Sequence, residues 1–162
     1  MISTNLISSA LERGIAVSPG IAIGPAFLFA KVSFDVEKIS IDSKVLKNEL
    51  SRFEDAVRRA ERDLNKIISI TREKLGEHSA TIFEAQLLML RDQSLYPEVV
   101  DLIEKSSVNA GYAVQTVMTK HRRLMEASDS EYLRERANDL LDIQERIIRH
   151  LRRGRILSAV DE

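Results

Sequence analysis

The 162-residue chain has no cysteine and no tryptophan. Without a thiol it forms no disulfide, zinc–thiolate site or cysteine nucleophile, and a reducing compartment suits it. Its aromatic supply is five Phe and three Tyr, so a core has to be built mainly from Leu, Ile, Val and Ala, as in helical bundles. No apolar run reaches the length of a membrane span. The apolar stretch from Gly14 to Ala30 is broken by Ser18, Pro19, Gly20, Gly24 and Pro25. The N-terminus lacks the basic lead of a signal peptide, so the cytoplasm is the expected location. Charge of one dominant sign is missing too. Lys and Arg number 24 against 25 Asp and Glu, a formal net charge of −1, which argues against a whole-surface nucleic-acid binder. What remains is 44% hydrophobic and 30% charged, the balance of a folded, helix-rich domain.

Two textures divide the chain. Residues 14–41 hold two of the three prolines and read as short strands. These are Ile15-Ala16-Val17, Ile21-Ala22-Ile23 and Ala26-Phe27-Leu28-Phe29, with turns at Ser18-Pro19-Gly20 and Gly24-Pro25. From Asp42 onward the texture is helical and charged. A first helix is expected to begin near Asp42 or Ser43, either of which can cap. Its apolar seam runs Leu46, Leu50, Phe53, Val57, Ala60, Leu64, Ile67, Thr71, alternating steps of four and three that imply a long helix packed along others. Gly76 is the expected stop.

A second helix is expected over about Ser79 to Asp92. Pro97 permits a new helical start, and a short helix to about Lys105 has Val99, Val100, Leu102 and Ile103 as its apolar side. A fourth helix, about Asn109 to Ala127, places Ala110, Val114, Val117, His121 and Leu124 on its seam. Ser128 and Glu131 match a capping box for the last helix, which carries Leu133, Ala137, Leu140, Gln144, Ile147 and Leu151, with Gly154 as its expected stop. The tail from Ile156 to Val160 reads as the start of a strand. The expected fold is all-α: an antiparallel bundle of helical hairpins over residues 42–154. A β-prone segment over 1–41 and the tail 155–162 are expected to belong to an α/β domain that the chain does not complete.

The second helix is apolar on more than one face. Phe83, Leu87 and Leu90 make one stripe; Ile82, Ala85, Gln86 and Met89 make another, rotated away from it. A helix on the outside of a small domain needs one such stripe. The second asks for a neighbouring helix or for another protein, and the residues alone leave both open.

Catalytic constellations are absent from the pattern. His78, His121 and His150 have no nucleophile motif beside them and no second His at ligand spacing. His78 reads as an exposed helix start, His121 as a hydrogen-bonded bundle residue, and His150 as a cation suited to a helix end. Glu131 with Glu135, or Asp139 with Asp142, sit at spacings a metal could use, but the Glu-x-x-His pattern of a di-iron bundle is lacking, and a solvated charged face explains them. Gly20 and Gly24 lack the rest of a phosphate loop or dinucleotide fingerprint. Arg149, His150, Arg152, Arg153 and Arg155 form a basic cluster without interleaved aromatics, better explained by the helix dipole than by nucleic acid.

Three segments, in this order and spacing, resemble one family. Gly14-Ile15-Ala16-Val17-Ser18-Pro19-Gly20-Ile21-Ala22-Ile23-Gly24 resembles the start of Enzyme I, the phosphoenolpyruvate-protein phosphotransferase of the bacterial sugar phosphotransferase system. The run from Ile82 to Asp92 is similar to that family's helix-hairpin segment, and Glu131 to Ile143 to its last-helix signature. The resemblance covers about residues 14–160. It implies a helical subdomain that docks HPr, the small carrier to which Enzyme I passes phosphate from phosphoenolpyruvate by way of a histidine. It also implies that the phosphorylated histidine and the phosphoenolpyruvate site, with its Mg2+, lie in later domains. No histidine here matches the Thr-Ser-His motif expected of the phosphorylated site, so the chain is expected to bind without catalysing, with no cofactor of its own.

Carried over position by position, the resemblance implies a docking face of Ile82, Glu84, Ala85, Gln86, Leu88, Met89 and Asp92, with Arg136 near its edge. An apolar centre with an acidic rim suits a carrier whose active face is basic. The chain departs from the family at Ala85, often Gly, at Gln86, often His, and after Asp92, where Gln93 and Ser94 stand in place of acids. Arg91 adds a positive charge. These departures imply weaker electrostatic steering or a variant carrier, as in nitrogen-related phosphotransferase systems. Two other readings compete: a non-enzymatic helical adaptor for another protein, and, less favoured, a nucleic-acid-binding bundle using the basic cluster.

Overall fold

The computed structural model describes residues 15, 19–21, 23–25 and 36–158, with side chains through Arg152. The chain forms two compact units, Met1–Val32 and Ser33–Glu162. In the first, Pro19, Gly20 and Gly24 lie at bends and Gly20 has a φ of 114°, consistent with turns there. Ile15, Ile21 and Ile23 are in no strand. The rest of the expected strands, including Ala26 to Phe29, fall outside the described residues.

The described residues of the second unit form five helices: α1 (Leu46–Leu75), α2 (Glu77–Leu90), α3 (Leu95–Ser106), α4 (Ala110–Glu126) and α5 (Glu131–Ser158). Among the described residues β-structure amounts to one isolated antiparallel bridge, Ser40 with Val108. The all-α architecture read from the sequence is the one observed.

Helix α1 starts later than Asp42. The Asp42 carboxylate accepts the backbone N–H of Lys44 at 2.8 Å, and the Val45 N–H reaches Asp42 O at 3.0 Å. Asp42 therefore closes a turn ahead of the helix instead of capping it. The buried stripe of α1 is Glu49, Phe53, Ala56, Ala60, Leu64 and Ile68. It shares Phe53, Ala60 and Leu64 with the expected seam and is offset by one residue at Glu49, Ala56 and Ile68, as a stripe repeating every 3.6 residues drifts against one repeating every 3.5. Gly76 stops α1 as expected, with φ 86° and its N–H on Arg72 O at 3.2 Å. The same residue opens α2, so one residue joins the two helices. Their side-chain pairs run in opposite directions, Arg72 with Glu84 and Glu61 with Arg91, which makes α1 and α2 an antiparallel hairpin.

Pro97 sits in the first turn of α3, where its missing N–H has no helical acceptor to lose. The last helix departs from its expected ends. Ser128 Oγ accepts the N–H of Ser130 at 3.2 Å, and Ser130 O accepts the first helical N–H, from Arg134, at 3.2 Å. Ser130 holds the cap position and the Ser128–Glu131 capping box is not formed. Gly154 does not stop α5, which continues to Ser158. Gly in a helix interior weakens a helix by roughly 1 kcal/mol but ends it only where the chain takes a left-handed turn. The expected strand at 156–160 is accordingly helical through Ser158.

The core gathers Phe53, Ala60 and Leu64 of α1, Val99 and Ile103 of α3, Val114 and Val117 of α4, and Leu140, Ile143 and Ile147 of α5. Two apolar seam residues are exposed: Leu124 at 63% and Leu133 at 38%. The segment before α1 is tied down by Ile39 N–H to Asn109 Oδ1 at 2.9 Å and Ile41 N–H to Ser107 O at 2.8 Å.

Candidate functional site

The outward face of α2 carries the surplus apolar surface. Leu90 is buried and Phe83 and Leu87 pack against the core, as the first stripe requires. On the other side Ile82 is 56% exposed and Leu88 71% exposed. Ala85 and Met89 are half-buried, and Met89 also packs on the core. Glu84 pairs with Arg72, which binds Glu77 as well at 2.8 Å. Arg91, the positive charge read as a departure, is paired with Glu61 of α1.

Gln86 corrects the two-stripe reading. It is 4% exposed, not presented, and its amide donates to Asp139 Oδ1 on α5 at 3.2 Å. At about 100° per residue it falls between Ile82 and Leu90 around the helix, on the side that meets α5. Asp139 Oδ2 accepts from Arg136 Nη1 at 2.8 Å, and the Arg136 guanidinium lies over the Tyr132 ring at 5.1 Å. The expected edge position of Arg136 is thus linked to α2 through a shared carboxylate. Asp139 serves that link with its side chain only 18% exposed, instead of lying on a solvated charged face.

Asp92 closes the far end of α2. Its Oδ1 accepts the Ser94 hydroxyl at 2.7 Å and the Ser94 N–H at 2.8 Å. The Ser94 hydroxyl bond first, and the backbone bond after it, hold this carboxyl below its usual range. Its charge is already engaged in a turn that starts α3.

Tyr132, 62% exposed, and Leu133, 38% exposed, are apolar surface on α5 one turn ahead of Arg136. Leu133 had been assigned to the seam, while the i, i+4 pair Tyr132–Arg136 was visible in the sequence as a signal. Two of the three histidines stand as the sequence implies. His78 is exposed. His121 Nε2 meets Glu98 Oε2 at 2.6 Å, as a bundle histidine should. His150, read as belonging to a basic helix end, is 9% exposed and turns into the bundle, with its Nε2 2.8 Å from Asp63 Oδ2 on α1. Of the basic cluster, Arg149 and Arg152 have partners. Among the described residues no group of three or more His, Asp or Glu is arranged to hold a metal ion, and no helix is long and apolar enough to cross a membrane.

Among the described residues the site is an apolar helix face on an all-helical bundle. The chain belongs to the family described as PEP-utilising enzyme, N-terminal, whose pattern matches residues 13–136. It is 37% identical over 139 residues to a phosphoenolpyruvate-protein phosphotransferase of Priestia megaterium, covering 86% of this chain and 24% of that protein. It is 38% identical over 140 residues to the protein of the same name from Bacillus subtilis (strain 168), again 86% of this chain and 24% of the relative. The NMR solution structure of Enzyme I (nEIt) matches with a TM-score of 0.73 at 36% identity, over 83% of this chain and 54% of that one. The N-terminal domain of Enzyme 1 - Nitrogen matches with a TM-score of 0.67 at 26% identity, over 74% and 49%. The chain spans about a quarter of the length of these curated relatives.

Proposed function

We propose that this chain is the HPr-docking part of a phosphoenolpyruvate-protein phosphotransferase, which in its whole form moves phosphate from phosphoenolpyruvate through a histidine to HPr for sugar uptake. The carrying observation is the outward face of α2, where Ile82 and Leu88 stay exposed on a helix whose other side is already packed. An exposed apolar patch with a polar rim is the ordinary signature of a protein interface. Ile82, Ala85, Leu88 and Met89 form its centre, Glu84 and Asp92 its rim, and Arg136 with Tyr132 its α5 edge. Gln86 supports this surface from behind.

On this reading the chain by itself receives no phosphate, since it carries no Thr-Ser-His motif. The Mg2+ of the whole enzyme belongs with phosphoenolpyruvate outside these residues, and the protein works in the cytoplasm. The rim acid Glu84 is paired with Arg72, which favours a carrier recognised more by apolar contact than by long-range attraction.

Titrating the 15N-labelled chain with HPr from the same organism is the direct test. Amide shifts are expected at residues 82–92 and around 132–136. Shifts nowhere, or only near Arg149, would sink the docking reading. A stable phosphohistidine after incubation with phosphoenolpyruvate and Mg2+ would overturn the division of labour.

A further inference from the structure

We infer that Asp139 is a positioning residue for the docking face, holding Arg136 of α5 in both direction and charge for an acceptor group on the carrier. The inference rests on the docking reading. Its basis is the way one carboxylate is shared between two helices. Asp139 Oδ1 takes the amide of the buried Gln86 at 3.2 Å, and Oδ2 takes Arg136 Nη1 at 2.8 Å. One oxygen is thereby fixed by α2, so the other is aimed.

The aim matters because arginine is long and rotamer-rich, and ordering it only on binding would weaken the complex. Here two groups order it in the free chain: Asp139 at its Nη1 and the Tyr132 ring beneath its guanidinium at 5.1 Å. Its side chain is 28% exposed and that of Asp139 18%, so the pair is partly sheltered yet still within reach of a partner. A guanidinium has five N–H donors in a planar fork. With Nη1 directed to Asp139, the fork is set in one plane to meet a carbonyl or carboxylate of the carrier.

Charge gives the second half of the argument. A carrier with a basic face would be repelled by a bare arginine beside the apolar centre. Asp139 cancels that charge locally while leaving directional donors in place. Arg136 then discriminates by hydrogen-bond geometry and not by net attraction.

The test is a double-mutant cycle on HPr binding by the chain, with Asp139→Asn and Arg136→Gln, followed by calorimetry at low and high salt. Asn keeps the shape of Asp139 and an acceptor for Gln86, and a thermal melt checks that the fold is kept. Asp139→Asn alone is expected to weaken binding roughly tenfold, less at high salt because repulsion from the freed arginine is screened. In the Arg136→Gln background the same change is expected to cost less than about twofold. Equal losses in both backgrounds, or a loss insensitive to salt, would show that Asp139 merely braces α2 against α5 and overturn the inference. Unchanged binding by Asp139→Asn would overturn it too. If the unmodified chain does not bind HPr at all, the docking reading itself falls and takes this inference with it.

Discussion

Glu49 Oε1 accepts the backbone N–H of Ala110 at 2.8 Å, so a carboxylate from α1 closes the first turn of α4. Asn109, at the cap position of α4, spends its side chain elsewhere, accepting the Ile39 N–H. Glu49 is 8% exposed; its second oxygen meets Arg52, which also donates to Leu151 O at 3.1 Å. One buried acid thus ties α1 to α4 and, through Arg52, to α5. A negative charge at a helix N-terminus is favourable, and a buried N–H without an acceptor is costly. Glu49→Ala is expected to lower unfolding free energy by about 2–3 kcal/mol, read from urea denaturation. Glu49→Gln, which keeps an acceptor, should lose about half of that. Equal losses would mean that the charge and not the hydrogen bond dominates.

Gly76 is the single residue between α1 and α2, at φ 86° and ψ 171°. A Cβ there would meet nothing within 4 Å, so a substitution is penalised by backbone conformation alone. Gly76→Ala is expected to cost about 1–3 kcal/mol, seen as a lower thermal midpoint with α-helical circular dichroism retained below it. A midpoint unchanged within error would show that the hairpin turn relaxes freely.

These two residues show what the sequence carries and what it hides. Gly76 was legible because a left-handed stop is a local property of one residue. The α3, α4 and α5 apolar faces were legible for a similar reason, since burial repeats with the helix turn. Glu49 was not legible: its partner lies 61 residues away, and no local pattern marks an acid as a cap for another helix. Gln86 was misread for the same reason. Set next to a run of apolar residues it looked like part of a presented face, whereas its burial depends on Asp139, 53 residues on. Ser128 and Gly154 failed differently, as local signals that neighbouring residues overrode: Ser130 took the cap and the helix ran through the glycine. The surplus apolar surface of α2 was legible from its composition; which of its residues point outward needed the position of α5.

Glu98 lies between His121 and Lys120 of α4. Its carboxyl is held below the usual carboxylate range by the hydrogen bond with His121 first and with Lys120 next. A folded value below the unfolded one means the pair stabilises fully above the unfolded value. That contribution is lost as pH falls through the folded value, on the acid side of the ordinary carboxylate range. In His121→Ala the Glu98 carboxyl is expected to titrate closer to its ordinary value, measured by 13C NMR of the side chain. The acid limb of the stability profile should then be shallower, because the folded and unfolded values of Glu98 move together and less stability is lost between them. No movement of Glu98 would assign its low value to Lys120 instead.

Leu88 separates binding from folding more cleanly than its neighbour Met89. It is 71% exposed, whereas Met89 packs against the core. An aspartate at position 88 puts a charge in the centre of the proposed interface but displaces nothing inside the bundle. Leu88→Asp is expected to weaken HPr binding by about 2 kcal/mol, close to thirtyfold, with unfolding free energy unchanged within about 0.5 kcal/mol. Met89→Asp should lose affinity and stability together, because part of its side chain leaves the core for water. Isothermal titration calorimetry beside chemical denaturation resolves the two. Full affinity in Leu88→Asp would remove the outward face of α2 from the interface, whatever Met89→Asp does.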